Sequence, residues 1–441
     1  MSIAIPRLPG AREEGDKWFF CGSPVGAAQG WKLYVSATVL NYGAILAAAA
    51  PILERHRVPF KYVAGEKTLR MLNAGLLGYS QIGKCIVAYL GEGECVASLV
   101  PRLKDELGPF LDACPEVPYA RQLGGGLPLS YRFGAYGGSE VTIDGATRED
   151  DRGPEGQAVP EGMDDPLAAF AEPVRRDEEF AAFLTEYPVF DVISQAGKGG
   201  VFVGFDLSQP VFTEVIVKIG YKNGQTMPDG RDGFALLRRE AAFFAELAAA
   251  GLRDVAPAFI SYREFRDKNA LVMERLPGDN LMVARSRGEL TPLHVERCLA
   301  LLERLHDRGL YVGDPKLPNF VLDGAGCPRA IDFECAGRMD EHMFDPVRTF
   351  GLFNPTIEDP ARQDFAHFLF SALYDAKPGA AVSERDRLID VAAVLRRPVP
   401  DDPVAAFALA RFARAVGRAE AELVETGVGG SGTPRADSNP A

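Results

Sequence analysis

The sequence predicts an α+β chain built in two parts: short strands and helices over residues 1–137, then a bilobal region over 181–425. Three observations predict it. Residues 31–36, 60–63, 83–89 and 130–133 are short runs rich in apolar and aromatic residues, and read as strands of the first part. In the second part, residues 215–218 read as a strand ending in Lys218. A helix over 234–247 follows, with Leu236, Leu237, Phe243, Phe244 and Leu247 on its apolar face, and then a strand and hinge over 269–276. Between the parts, residues 138–180 are acidic and rich in Gly and Pro, which reads as a connector. A helix over 404–425 closes the second part, and 426–441 reads as a disordered tail.

Composition narrows the function classes. The chain has 441 residues, 47% hydrophobic and 25% charged, enough for two or three domains with sizeable cores. A net charge of -13 argues against a general nucleic-acid binder. Seven cysteines, scattered and without C-x-x-C spacing, suggest reduced thiols and a cytoplasmic location rather than a zinc ribbon. No signal segment is expected from the first residues. The apolar run 37–53 is interrupted by Asn41, Tyr42 and Gly43 and meets Glu54-Arg55-His56-Arg57, so a buried amphipathic helix is expected and not a membrane span.

The chemistry concentrates in Gly313-Asp314-Pro315-Lys316-Leu317-Pro318-Asn319 and Ala330-Ile331-Asp332-Phe333-Glu334. An acid, a lysine, an amide five positions after the acid, and a later acid stand at phosphoryl-transfer spacing. Asp314 would orient the attacking hydroxyl and Lys316 would neutralise charge on the transferring group. Asn319 and Asp332 would offer hard oxygen ligands to magnesium. Upstream, Lys218 would hold the nucleotide phosphates with Glu240 as its counter-ion. Gly197, Gly199 and Gly200 form a loop whose backbone can approach phosphates, and Glu274 lies in the run that would meet an adenine. The pattern is kinase-like, with ATP or GTP and magnesium as its cofactors. Val312 and Gly313 stand where His and Arg usually precede the acid, Glu334 replaces a glycine, and no Ala-Pro-Glu follows. Control by loop phosphorylation is therefore not expected.

In the first part, Lys32, Tyr34 and Ser36 fall on one face of a strand, and Lys61, Lys84 and Arg132 each lie among apolar residues. Their recurrence suggests an anion pocket. Residues 30–38, 58–62, Gly83-Lys84 and 131–136, followed by Gly199-Gly200-Val201-Phe202, resemble the class III lanthipeptide synthetases over about residues 18–374. Those enzymes join a phosphoserine/phosphothreonine lyase domain to a kinase domain and a cyclase-like domain. The resemblance implies a phosphothreonine-lyase-like α+β domain followed by a bilobal protein kinase-like fold, acting on a ribosomally made precursor peptide. Ser or Thr would be phosphorylated and the phosphate then eliminated. Lys84 matches the family's lysine base, and like-charge repulsion from Lys32, Lys61 and Arg132 would favour its neutral form. Arg132 and Lys32 would clamp the phosphate, with Lys61 beside them. The family strand reads Lys-x-His where this chain has Lys32-Leu33-Tyr34, so Tyr34 is the candidate acid. Nothing after Glu425 suggests a cyclase-like domain, so ring closure is expected to be spontaneous, to fall to a separate cyclase, or not to occur. Two alternatives stand beside this reading: an atypical kinase or small-molecule phosphotransferase whose first domain only binds substrate, and a pseudoenzyme scaffold.

Overall fold

In a computed structural model of the chain, residues 5–91, 96–143, 145–151, 153, 159, 163–172, 177–227, 229–341, 359–373, 394 and 398–425 are described, with side chains as far as residue 416. The tail expected over 426–441 lies outside them. The chain divides into two compact units, one of residues 1–238 with 260–274, the other of 239–259 with 275–441.

Among the described residues, the first unit contains three sheets, of seven, five and two strands. One has seven strands: β1 (Arg12–Glu14), β2 (Trp18–Cys21), β3 (Gln29–Val35), β4 (Phe60–Val63), β5 (Ile86–Tyr89), β6 (Arg121–Gln122) and β7 (Leu129–Ala135), in the order β1-β2-β4-β5-β3-β7-β6. Helices α1 (Tyr42–Arg55), α2 (Glu66–Asn73) and α3 (Val96–Leu107) share its core. Ile45, Leu46, Ala49 and Leu53 of α1 and Leu99, Val100 and Leu103 of α3 cluster with Leu33, Val35, Phe60, Tyr62, Ile86 and Tyr131. That burial holds α1 together despite Pro51. The expected strand over 83–89 is corrected. It begins at Ile86, because Gly83 adopts φ +73° and turns the chain, which puts Lys84 on the turn.

Part of the expected connector is also a correction. Its start forms a hairpin of β8 (Glu140–Ile143) and β9 (Ala146–Glu149), in which Val141 and Ile143 alternate inward against Ala135 and Phe133. After helix α4 (Glu178–Glu186), whose first turn is capped by Asp177, comes the five-stranded sheet. Its strands are β10 (Val189–Ala196), β11 (Gly199–Asp206), β12 (Thr213–Tyr221), β13 (Phe259–Glu264) and β14 (Lys268–Glu274), in the order β10-β11-β12-β14-β13. β12 runs three residues beyond Lys218, whose neighbours are Val201 on β11 and Leu271 on β14, so the lysine is inside the strand and not at its end.

Helix α5 (Gly233–Ala249) leads into the second unit, which continues with α6 (Leu281–Ser286) and α7 (Pro292–His306). Asn280 caps α6, and Thr291 and His294 form a reciprocal cap at α7, where Pro292 occupies the first helical turn. Two short ribbons follow, β15 (Leu310–Tyr311) with β18 (Gly337–Arg338) and β16 (Phe320–Leu322) with β17 (Pro328–Ala330). Helices α8 (Pro360–Leu373) and α9 (Pro403–Glu425) complete the unit. Among the described residues, no helix is long and apolar enough to cross a membrane.

Candidate functional sites

In the first unit, strand register decides which side chains meet. Lys32 on β3 faces Tyr89 on β5 and Arg132 on β7, while Tyr34 faces Val87 and Ser130. Cross-strand partners share a face, so Lys32, Tyr34 and Arg132 lie on the side opposite the helix-packed core. That side is buried too: Lys32 is 7% exposed, Tyr34 2% and Arg132 6%, under a second cluster that includes Phe20, Val87, Tyr89, Val117 and Ala120. Lys84 enters the same layer, its ammonium 4.7 Å above the Tyr34 ring. Lys61 shares the face, but its ammonium rests 4.9 Å over Trp18 on β2, which borders β4 on the side away from β3. Four of the five expected lyase residues are thus gathered around Tyr34 and Lys32, and Lys61 leans outward.

The cations of this layer have protein partners. Lys32 Nζ donates to the Ala135 carbonyl at 2.8 Å. The Arg132 guanidinium donates to Asp150 Oδ1 at 2.6 Å and to the Asp151 carbonyl. Asp150, its side chain 2% exposed, also accepts from the Ala135 N–H at 3.2 Å. Gly134 makes room for it, since a Cβ there would lie 2.8 Å from Asp150 Oδ1 and 3.1 Å from Lys32 Nζ. A carboxylate from the segment after β9 is therefore paired with Arg132, one of the two expected phosphate clamps. Composition hid this residue inside an acidic stretch; the alternation at Val141 and Ile143 just before it was the available signal. A cavity of about 410 Å³ opens nearby, lined by Arg12, Phe20, Val25, Tyr89 and Tyr136, with none of the candidate lyase side chains in its wall. Burial, and next the charge of Glu14, push the Tyr89 phenol up, so it stays neutral.

The glycine loop of the second sheet is the turn between β10 and β11. Gly197 donates to the Ala74 carbonyl at 3.3 Å, and a Cβ on it would fall 1.6 Å from the Asn73 carbonyl oxygen. Gly199 adopts φ +152° beside the Ile219 carbonyl, and Gly200 is buried next to it. These glycines allow close backbone packing within the unit. Glu274 ends β14 opposite Val215 and is exposed.

In the second unit, helix α8 builds the polar loop. Asp364 accepts from the Val312 and Gly313 N–H groups at 2.7 and 2.9 Å, and Ser371 Oγ accepts from Leu317 N–H at 3.0 Å. Gly313, at the position where an arginine would be usual, has φ +82°, and a Cβ there would sit 2.3 Å from the Cys335 carbonyl oxygen. Asp314 is 5% exposed, with Oδ2 2.5 Å from Lys316 Nζ. Asn319 donates from Nδ2 to the Asp314 carbonyl at 2.9 Å, which leaves its Oδ1 as the ligand-type atom. The β16–β17 ribbon brings the chain back, and Ile331 N–H donates to the Asn319 carbonyl at 3.0 Å just before Asp332. Glu240, 2% exposed, accepts from Phe333 N–H at 3.4 Å. Lys218 belongs to the first unit and Asp314 to the second. Among the described residues, no group of three or more His, Cys, Asp or Glu is poised around a metal position. One amide and one carboxylate nevertheless suit magnesium, which keeps several waters and takes the rest of its ligands from phosphates.

Sequence reasoning missed Asp150, Asp364 and His367. For the last two the signal was available: acid and imidazole stand one turn apart in a helix otherwise rich in Phe, Ala and Leu.

Comparison with known proteins adds two findings. Residues 9–174 match the family model described as RamC, N-terminal domain. Over 358 residues the sequence is 25% identical to the probable SapB synthase of Streptomyces coelicolor, covering 74% of this chain and 37% of that protein. The chain thus spans less than two fifths of the length of the curated relative it matches, and its similarity extends well beyond the N-terminal region.

Proposed function

We propose that this chain is a lanthipeptide-type dehydratase that phosphorylates Ser or Thr of a ribosomally made precursor peptide and then eliminates the phosphate. The observation that carries the reading is the gathering of Lys32, Tyr34, Lys84 and Arg132 in one buried layer, inside the region that matches the RamC N-terminal domain. The likeness to a SapB synthase supports a peptide substrate.

In the first step Asp314 orients the acceptor hydroxyl and receives its proton, while Lys316 offsets charge on the transferring group. Asn319 and Asp332 would hold magnesium, and Lys218 would hold the phosphates of the nucleotide with Glu240 as its counter-ion. Mg-ATP, when bound, supplies the γ-phosphoryl group. In the second step neutral Lys84 takes the Cα proton, and the Cβ–O bond breaks to leave a dehydroamino acid. Lys32 and Arg132 receive the departing phosphate and Tyr34 gives it a proton. Asp150 is then the internal counter-ion that the phosphate replaces.

Incubation of the full chain with Mg-ATP and a Ser/Thr-containing precursor peptide is expected to lower peptide mass by about 18 Da per site, whereas phosphorylation alone raises it by about 80 Da. Asp314→Asn should abolish both changes, and a wild-type rate in that variant would overturn the phosphotransfer assignment. One observation favours a second reading, phosphotransfer without elimination: Arg132 is already engaged by Asp150. Persistence of the phosphopeptide as end product would select it.

A further inference from the structure

His367 has no part in the chemistry so far, yet it is 1% exposed and its Nε2 lies 3.4 Å from Asp314 Oδ1. It is the middle of three contacts from one face of α8. Asp364, His367 and Ser371, at i, i+3 and i+7, meet the backbone of 312–313, the side chain of Asp314 and the backbone of Leu317 in turn. The two oxygens of Asp314 therefore have different neighbours. Oδ2 faces Lys316, whose side chain is 29% exposed, and Oδ1 faces the buried imidazole.

We propose that His367 is a positioning residue for phosphoryl transfer: its Nε2 stands at ion-pair distance from Asp314 Oδ1, outside hydrogen-bond geometry in this structure, and closes to donate to that oxygen when substrate is bound, which fixes the carboxylate plane so that Oδ2 stays turned to the acceptor hydroxyl. This rests on the phosphotransfer reading above. During transfer the acceptor oxygen bonds to the γ-phosphorus, the bond from that phosphorus to the leaving ADP oxygen breaks, and the hydroxyl proton passes to Oδ2. A carboxylate free to rotate about Cβ–Cγ would present Oδ2 for only part of the time, and placement errors of this kind lower turnover more than binding. Asp314 Oδ1 faces the imidazole; Lys316 on the same loop meets the other oxygen of Asp314, and Asp364, one turn before His367 on α8, has Oδ2 3.1 Å from His306 Nε2 of α7.

The test compares His367→Leu, which keeps bulk and removes the donor, with His367→Gln, whose amide can donate from about the same place. With Mg-ATP and the precursor peptide, His367→Leu should lower kcat for phosphorylation about 30-fold with KM for ATP within about threefold, and His367→Gln should return to within about fivefold of wild type. Unchanged kcat in His367→Leu, or equal loss in both variants, overturns the proposal in favour of packing. Absence of transfer by the wild-type chain is instead failure of the phosphotransfer reading. The contact is then decided by the imidazole titration of His367, followed by NMR in the full chain. Asp314→Asn should shift that titration to lower pH, because a neighbouring negative charge is lost. An unmoved titration overturns the inference.

Discussion

Asp150 shows how one side chain sets the state of a site. A buried arginine without its counter-ion is costly, about 3–5 kcal/mol when a partner is deleted outright, so the pairing of Asp150 with Arg132 stabilises the fold. Asp150→Asn keeps the shape and removes the charge. It should lower stability by about 1–3 kcal/mol in phosphate-free buffer. Adding inorganic phosphate should recover several degrees of Tm in the variant and very little in the wild type. Equal phosphate response in both proteins would mean that Arg132 and Lys32 are not an anion site. At this scale residue type and motif spacing single out Lys32, Arg132, Asp314 and Asn319 from the sequence alone. The sequence was silent where a partner comes from a distant segment: nothing local connects Asp150 to Arg132 or His367 to Asp314, because each contact depends on register or helix docking.

Strand and helix placement carried most of the correct expectation. The expected strand 60–63 matches β4, 31–36 overlaps β3 and 130–133 lies within β7; the helix 234–247 lies within α5, and 404–425 matches α9 to one residue. Alternation and apolar periodicity are local properties, so they could be read directly. The errors arose at turns. Gly83 ends a turn that the apolar composition of 83–89 concealed, and the β8–β9 hairpin lay in a segment whose charge outweighed its alternation. The β16–β17 ribbon makes a prediction of its own. Asp323 at its turn accepts from Ala325 and Cys327 N–H groups and from Arg329, and the backbone bond from Cys327 is the first cause holding its carboxyl below the usual range. A depressed carboxyl contributes stability above its unfolded value near 3.8, and that contribution is lost as pH falls through the lower folded value. Asp323→Ala should therefore lower Tm by about 2–4 °C at neutral pH, with the difference from wild type vanishing under acid. A pH-independent difference would assign the effect to chain geometry and not to the ionised carboxylate.

At the scale of the whole molecule, the chain carries a cationic layer in one compact unit and an acid-lysine-amide loop in the other. Lys218 falls with the first unit and Glu240 with the second, a division that motif order alone does not reveal. If the two chemistries act in sequence on one peptide, disabling the second must expose the product of the first. The decisive measurement is the mass of a Ser/Thr precursor peptide over time with Lys84→Ala and Mg-ATP. The account predicts accumulation of the species heavier by about 80 Da, with the loss of about 18 Da suppressed at least about a hundredfold. Dehydration by Lys84→Ala at the wild-type rate, with no phosphopeptide accumulating, would contradict it.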